Sequence, residues 1–106
     1  MISHPERNEI QLEGVLHALS DPVRLGIVRE LARAGGERRC GSFERAVTKS
    51  TMTHHFKVLR ESGVIRQRQE ATLRLTSLRR DDLDTRFPGL LDRILEAAED
   101  KAVLSA

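Results

Sequence analysis

Cysteine and the aromatic residues are scarce in this sequence of 106 residues. It contains one cysteine, three phenylalanines and neither tryptophan nor tyrosine. The single thiol of Cys40 cannot form a disulfide within the chain, and it has no second cysteine with which to build a thiolate metal site. Because aromatic residues make up only 3% of the chain, we expect no stacking platform for single-stranded nucleic acid or RNA.

Long apolar runs are also absent. No stretch approaches the roughly 20 apolar residues that a membrane-spanning helix needs. The segment from Met1 to Ile10 carries Glu6, Arg7 and Glu9 instead of an apolar stretch followed by a cleavage-like site, so we expect no secretory signal. Together with the unpaired cysteine, which suits a reducing compartment, this predicts a cytoplasmic protein.

The sequence lacks the signatures of a catalytic site. It has no glycine-rich phosphate loop, no nucleophile elbow and no histidine and acid spacing of a known catalytic unit. We therefore expect neither an enzyme nor a bound cofactor. With 39% hydrophobic and 32% charged residues, the chain is too apolar for disorder, and its length predicts one domain over residues 1–106.

Positive charge, by contrast, is concentrated in one segment. From Lys49 to Arg80 eight basic residues stand against Glu61 and Glu70, a net charge of +6 where the whole chain carries +2. This distribution is expected of a polyanion-binding face on an otherwise neutral body. The alternative is a solvated arginine-rich surface, which is common in proteins that bind no polyanion.

The first two predicted helices meet at a Ser-Asp-Pro sequence. Apolar residues at spacings of three and four predict a helix over residues 8–19. Ser20 or Asp21 can cap the next helix, and Pro22 suits its first turn because the missing proline N–H would be unpaired there. We expect this second helix to end at the glycine pair that begins with Gly35, where a left-handed residue can close it.

The next two predicted helices form a helix-turn-helix. The third is short and starts near Ser42. The fourth runs from Ser50, its predicted capping residue, to Ser62, and Gly63 follows as a C-terminal glycine. Its predicted core face consists of Met52, Phe56 and Leu59.

Beyond the fourth helix the pattern changes to extended chain. Alternating residues from Ile65 to Leu78 predict two antiparallel strands with a turn around Glu70 and Ala71, a ribbon the size of a wing. A last helix is predicted from Pro88 to near Leu104. This order predicts a mainly α fold, a winged helix-turn-helix of about five helices and a two-stranded β-hairpin.

The fourth helix carries side chains suited to reading duplex DNA. With its apolar face in the core, Thr51, Thr53 or His54, and Lys57 fall on other faces near the helix start. Threonine and histidine offer compact donors and acceptors, and lysine reaches guanine edges or phosphates. Of the adjacent histidines, we expect His55 to be a hydrogen-bonded packing residue.

Two stretches of the sequence resemble a known family. The run from Ala18 to Leu25, Ala-Leu-Ser-Asp-Pro-Val-Arg-Leu, and the run from Ser50 to Ile65, which begins Ser-Thr-Met-Thr-His-His-Phe-Lys-Val-Leu-Arg, are similar to the ArsR family of bacterial and archaeal winged-helix regulators. The resemblance covers most of the chain. It implies a homodimer, joined by its first and last helices, that represses transcription by binding a pseudo-palindromic operator in double-stranded DNA.

The resemblance, together with the helix faces, predicts two surfaces. The wing positions are expected near the flanking DNA backbone or minor groove, and a stripe on the terminal helices is predicted as the dimer interface, with intramolecular core as the alternative. The predicted DNA-binding residues are Arg24, Lys49, Ser50, Thr51, Thr53, His54, Lys57, Arg60, Arg68, Thr72 and Arg74. The predicted dimer residues are Val15, Leu16, Leu19, Leu91, Ile94, Leu95 and Ala98.

The chain departs from the family in its metal ligands. Many members release DNA when metal binds a Cys-x-Cys pair near the recognition unit or acid and histidine ligands on the last helix, and this chain has neither. We therefore expect no metal site. The alternative is a site between subunits, formed by His4 or His17 with an acid of the last helix. Cys40 is either a redox switch beside Arg38 and Arg39 or a small buried apolar residue.

A second class of function is a protein-interaction module, in which the winged helix contacts other proteins and the basic segment is only a solvated face. Salt separates the two hypotheses. Neutralisation of phosphates predicts an affinity for duplex DNA that falls steeply with ionic strength, whereas an interaction module predicts little affinity at any salt concentration.

Overall fold

The computed structural model describes residues 2–43 and 47–105 and has a mainly α architecture with a small antiparallel sheet. Two 3₁₀ turns, Arg7–Glu9 and Cys40–Ser42, accompany the regular elements. This is the winged helix-turn-helix architecture that the sequence predicts. The elements are α1 (Leu12–Leu19), α2 (Pro22–Ala34), β1 (Arg38–Arg39), α3 (Lys49–Glu61), β2 (Ile65–Glu70), β3 (Leu73–Leu78), α4 (Arg80–Arg86) and α5 (Leu90–Ser105).

Helix α2 begins and ends as its sequence predicts. The Asp21 carboxylate accepts hydrogen bonds from the backbone N–H groups of Val23 and Arg24, at 2.8 and 3.2 Å, and Pro22 occupies the first turn. Gly35 closes the helix at φ 72°, where its N–H donates to the Leu31 carbonyl. A left-handed residue of this kind favours glycine because it has no Cβ.

Helix α3 starts one residue earlier than predicted and has a different cap. Thr48, not Ser50, occupies the N-cap position, and its Oγ1 accepts the N–H of Thr51 at 3.3 Å. The predicted core face is confirmed, since Met52, Phe56 and Leu59 are all buried.

The N-terminal segment packs across the end of α3. Gly63 has φ 85°, and a Cβ at this position would lie 2.5 Å from Cγ1 of Ile10, so the site requires glycine for two reasons. The predicted first helix over residues 8–19 is too long, because Gln11 is extended (φ −104°, ψ 139°). This break lets Ile10 enter the core ahead of α1.

The β-hairpin is confirmed over its full predicted range. Strands β2 and β3 pair antiparallel from Ile65 opposite Leu78 to Glu70 opposite Leu73. Strand β1 pairs with the other edge of β3 through Arg38 opposite Thr76 and forms a third strand, which the sequence analysis missed. Two residues are too few to show an alternating pattern.

The remaining helices differ in part from their predictions. Helix α4 was not predicted, and α5 begins at Leu90 instead of Pro88 because Gly89, at φ 81°, interrupts the chain. Of the predicted third helix, residues 44–46 lie outside the described residues, and the part before them is the 3₁₀ turn that ends at Ser42.

The core draws side chains from most elements of the fold. Val28 of α2, Leu59 of α3, Ile65 of β2, Leu83 of α4 and Leu91 of α5 are each at most 3% exposed. Burial of these apolar side chains fixes the helix-turn-helix against the sheet. Over the ranges that the structure describes, we find no helix that is both long and apolar enough to cross a membrane.

Candidate nucleic-acid interface

Helix α3 is anchored by one face and presents the other to solvent. Phe56 packs edge-on against Phe43, with ring centroids 5.4 Å apart. The opposite face is polar and carries three hydrogen-bonding residue types and two cations. Its exposed residues are Lys49, Ser50, Thr51, Thr53, His54 and Lys57.

A buried cluster of hydrogen bonds around the Arg24 guanidinium positions α3 from the side of the helix that faces the core. Arg24 is 7% exposed, and its Nε and Nη2 donate to the Ala18 and His17 carbonyls at the end of α1. Its Nη1 lies 3.2 Å from Nδ1 of His55. Because a guanidinium has no acceptor, Nδ1 must accept, which leaves the ring proton on Nε2. The prediction for His55 is confirmed.

The prediction that Arg24 contacts DNA is corrected by this cluster. Its guanidinium is inside the protein and three of its donor contacts are internal. Arg24 therefore joins α1, α2 and α3.

Arg60 also turns inward, toward the wing. Its Nη1 donates to Oε1 of Gln67 on β2 at 2.9 Å. Gln67 is 3% exposed, and its Nε2 donates in turn to Sγ of Cys40 at 3.2 Å and to Oγ1 of Thr76 at 3.3 Å. The assignment of Arg60 as a DNA contact is therefore corrected to a link between helix and wing, and the Cys40 thiol is a hydrogen-bonded packing group.

The three predicted wing residues differ in what they contact. Thr72 and Arg74 are exposed at the hairpin end. Arg68 forms a two-pronged ion pair with Glu37, at 2.6 and 2.8 Å, and a third bond of 2.6 Å to Glu70. The hydrogen bond from Arg68 lowers the pKa of Glu37, and those to Glu37 and Glu70 raise the pKa of Arg68. The Glu37 carboxylate is therefore ionised near neutral pH and compensates the charge of Arg68.

Much of the basic segment is neutralised by acids from elsewhere in the chain. Besides Arg68, Arg66 and Arg79 contact Asp82, and Arg80 pairs with acids of α4 and α5. Among the residues that the structure describes, four cations of this segment have no acidic partner: Lys49, Lys57, Arg60 and Arg74. Arg60 donates instead to Gln67. Lys49 and Lys57 place uncompensated positive charge on the exposed face of α3, and Arg74 places it on the wing.

Some residues that organise this surface were not predicted from sequence. Thr48 competes with Ser50 as a cap, and both types are good N-caps. The inward orientation of Gln67 could have been predicted, since it lies two residues after Ile65 on the same strand and so faces the same side. The contact of Glu37 could not have been predicted from local sequence, because Glu37 meets Arg68 across 31 residues of the chain.

The predicted dimer residues fall into two groups. Val15, Leu19 and Leu91 are 2%, 7% and 3% exposed, so they belong to the core of this chain and have almost no side-chain area left for a partner. The interface prediction is corrected for these three. Leu16 is 46% exposed, and Ile94, Leu95 and Ala98 are partly exposed.

No metal site is evident in the part of the chain that is described. Across residues 2–43 and 47–99, no group of three histidine, cysteine or carboxylate side chains is arranged to hold an ion. His4, which sequence offered as a ligand between subunits, uses Nε2 to accept the backbone N–H of Gln67 at 2.9 Å. Burial, followed by the charges of Arg79, Arg66 and Arg60, lowers the pKa of His4 and favours this neutral, accepting form.

Comparison with known proteins agrees with the geometry. A helix-turn-helix domain family matches residues 19–68, which span α2, α3 and most of β2. The chain is 38% identical over 82 residues to YceK, an HTH-type transcriptional regulator of Bacillus subtilis (strain 168). That alignment covers 76% of this chain and 82% of YceK.

Solved structures show the same fold. The transcriptional repressor BigR from Xylella fastidiosa superposes with a TM-score of 0.58 and 29% identity, over 72% of this chain and 85% of BigR. An ArsR family transcriptional regulator superposes with a TM-score of 0.63 over 95% of this chain and 99% of its own length. Its sequence is 19% identical, so this second likeness concerns the fold.

Proposed function

Because this chain belongs to the HTH-type transcriptional regulators, we propose that it is a winged-helix regulator of the ArsR type that binds a specific double-stranded DNA operator as a homodimer and represses transcription there. As a transcriptional regulator it is not an enzyme. The observation that supports specific binding best is the exposed polar face of α3, which is held in place by the buried contacts of Phe56 and His55.

Recognition of bases is assigned to the first two and a half turns of α3, up to Lys57. Thr51, His54 and Lys57 are exposed there; their hydroxyl, ring nitrogen and ammonium groups suit the hydrogen-bonding edges of the major groove. Lys49 and Ser50, at the helix start, lie where a phosphate would meet unpaired backbone N–H groups and the positive end of the helix dipole. Thr53 donates its hydroxyl to the Lys49 carbonyl at 3.1 Å, so its methyl group is the part offered to a thymine.

The wing supplies contacts that position the protein on DNA. Arg74 and Thr72 lie at the exposed end of the hairpin, within the chain region that would follow the flanking backbone once α3 enters the groove. Arg68 joins them only when phosphate replaces Glu37 and Glu70 as its partner. The wing therefore contributes mainly affinity, and the helix contributes sequence preference.

Dimerisation is assigned to α1 and α5. Leu12 and Leu16 are 44% and 46% exposed one turn apart on α1, and Ile94, Leu95 and Ala98 of α5 are partly exposed. Apolar residues in such an arrangement are typical of protein interfaces. A two-fold dimer of one winged-helix domain per chain places two α3 helices about 34 to 36 Å apart, one turn of B-form DNA.

Repression and location are part of the same proposal. A dimer bound over a promoter excludes the polymerase, and BigR, which shares this fold, is a repressor. A regulator must also share a compartment with its operator, which in a bacterial or archaeal cell is the cytoplasm.

Selection of duplexes from a random pool by the pure protein tests specificity and symmetry together. We expect enriched sequences to be inverted repeats with half-site centres about 10 base pairs apart. Measurement of affinity for one selected duplex from low to high salt should show a steep fall with salt concentration. Enrichment of sites without symmetry would contradict the dimer model of recognition.

The same experiment addresses the alternative of a protein-interaction module. That hypothesis requires no enrichment and little duplex affinity even at low salt. A reporter gene with the selected site in its promoter then tests repression. Expression should fall when the protein is produced, and it should stay unchanged with a K57A variant, which lacks a cation of the exposed face.

A further inference from the structure

A cleft on the side of the wing base carries an unusual concentration of guanidinium groups. It lies between the N-terminal segment, β2 and the start of α4, and it has a volume of about 330 Å³. Its lining is mainly polar and consists of Arg7, Arg66, Leu78, Arg79, Arg80, Asp81 and Asp82. None of these side chains belongs to the exposed face of α3.

Three of the four arginines converge on a single carboxylate. Asp82 accepts from Nε of Arg7 at 2.7 Å, from Nε of Arg79 at 2.9 Å and from Nη2 of Arg66 at 3.3 Å. Asp81 is exposed on the rim. Burial opposes ionisation of Asp82, but the hydrogen bonds from Arg7 and Arg79 outweigh it and lower its pKa, so the carboxylate is charged at neutral pH. The cleft nevertheless keeps an excess of positive charge.

Donor groups in the cleft remain available. Arg79 is only 5% exposed; its Nε is used by Asp82 and its Nη1 donates to the Pro5 carbonyl at 2.8 Å. Among residues 2–43 and 47–99, Nη2 of Arg79 and both terminal nitrogens of Arg7 have no hydrogen-bond partner. Nη2 of Arg79 is not one of the buried atoms left without a partner, and Arg79 lines the cleft, so this donor faces the cleft and is available to an acceptor there.

We propose that this cleft binds a small doubly charged oxyanion, a phosphate group or a short dicarboxylate, between Arg7, Arg66 and Arg79. Guanidinium groups match such ligands because their paired N–H donors fit two oxygens at once. The volume is at the lower end of that of small-molecule sites, which suits a ligand of this size. Arg66 lies on β2 of the wing, so an occupied cleft would tie the N-terminal segment to the wing.

Titration of the free protein with inorganic phosphate or succinate, at constant ionic strength set with sodium chloride, tests the site without DNA. The measurement is NMR of the arginine Nε–H signals in ¹⁵N-labelled protein. We expect the signals of Arg7, Arg66 and Arg79 to shift on one saturable curve with at least one of the two anions. Saturation by phosphate or by succinate identifies which oxyanion the cleft prefers.

Variants locate the binding. R7Q and R66Q should each weaken it about tenfold, because each removes a charged hydrogen-bond donor. Both side chains are about half exposed, at 51% and 53%, so the fold should tolerate the changes. R93Q is the matched control, since Arg93 is 81% exposed on α5 and pairs only with Glu96 among the described side chains.

Three results would overturn the site. The first is a linear, unsaturable shift of the arginine signals with both anions. The second is an equal loss of anion affinity in R93Q and R66Q. The third is a shift of the three arginine signals with duplex DNA but with neither anion. The last would make the cleft a DNA backbone contact. Since the titration uses protein alone, failure of the proposed operator binding would leave its outcome intact.

Discussion

The guanidinium groups of this chain have two kinds of partner. Some, such as Arg74, are exposed without an acidic partner among the described residues, and suit a polyanion. Others are consumed inside the protein, as Arg24 is by two carbonyls and a histidine ring. In the proposed complex the first kind would contact DNA directly, and the second would fix the helices that make the contact.

Substitution of Arg24 by Lys tests this positioning role. Lysine keeps the charge but replaces a planar fork of donors by one ammonium group, so at least one of the three bonds is lost. We expect a free energy of unfolding lower by about 2 kcal/mol and weaker binding to every duplex, with unchanged base preference. Urea denaturation measures the free energy of unfolding, and binding to a panel of operator variants measures affinity and base preference. R33K, on the exposed side of α2, is the control, and a changed base preference in R24K would show direct contact.

His54 is the residue for which a base-reading role is tested most directly. Because its ring is exposed on α3, H54A should change the preference among operator variants by about 1–3 kcal/mol and leave stability almost unchanged. Competition binding with single-base operator variants measures this. E61A, which changes an exposed residue at the far end of the helix, should preserve the preference, and identical profiles for H54A and the unmodified protein would exclude base reading by His54.

The charge of Asp82 predicts an acid-dependent loss of stability. A carboxyl group with a lowered pKa stabilises the fold fully above its unfolded value, roughly 3.9, and loses that contribution as pH falls through the folded pKa. At pH 7, D82N should lower the free energy of unfolding by about 2 kcal/mol. The gap from the unmodified protein should narrow below about pH 4. Urea denaturation from pH 7 to pH 3 measures it; a gap independent of pH would contradict the ionic role.

At the scale of the elements, α3 and the wing behave as one unit. Gln67 on β2 accepts from Arg60 of α3 and donates to Thr76 of β3. Gln67 and its bond to Thr76 are buried, and its bond to Arg60 is partly buried, so replacement of these partners by water is costly. The bonds therefore couple α3 to the hairpin.

The ion pair of Arg68 on the wing leads to a prediction in which the loss of an acid and the loss of a cation change DNA affinity in opposite directions. E37Q removes one partner of Arg68, so affinity for unrelated duplex DNA should rise and the salt slope should steepen by about one unit. R74Q removes a cation that has no acidic partner among the described residues, and it should lower both the affinity for unrelated duplex DNA and the salt slope. Fluorescence anisotropy over a salt series measures the two slopes. E96Q makes the same charge change on α5 and serves as the control; if E37Q matches E96Q, Arg68 does not contact DNA.

At the scale of the whole molecule, the exposed leucines of α1 are the best test of assembly. L16E places a charge where an apolar partner surface is proposed, and it should weaken dimerisation by roughly 2 kcal/mol or more without unfolding the chain, since Leu16 is 46% exposed. Sedimentation velocity measures the change. L73E, at a wing leucine that is 42% exposed, is the matched control. Equal dimer populations in both variants would move the interface away from α1.

Loss of the dimer should also reduce operator binding. A monomer contacts one half-site, so L16E should bind the full operator and a single half-site with similar affinity. This comparison separates a failure of assembly from a failure of recognition.

Local sequence was sufficient for much of this fold. A cap at Ser20 or Asp21, the closing glycines at 35 and 63, the core face of α3 and the hairpin from Ile65 to Leu78 all followed from spacing and from the conformations that single residues favour. These features depend on neighbours within a few positions, which the order of residues specifies directly.

Tertiary structure alone decided which charged and apolar side chains remain available. Arg24 meets His55 across 31 positions, Arg68 meets Glu37 across 31 and Arg7 meets Asp82 across 75. The burial of Val15 and Leu91 was likewise decided by tertiary structure, since their apolar side chains pack within the chain. Periodicity shows that a residue lies on a face, but the partner of that face is chosen by long-range packing, because burial and ion pairing depend on distance in space and not along the chain.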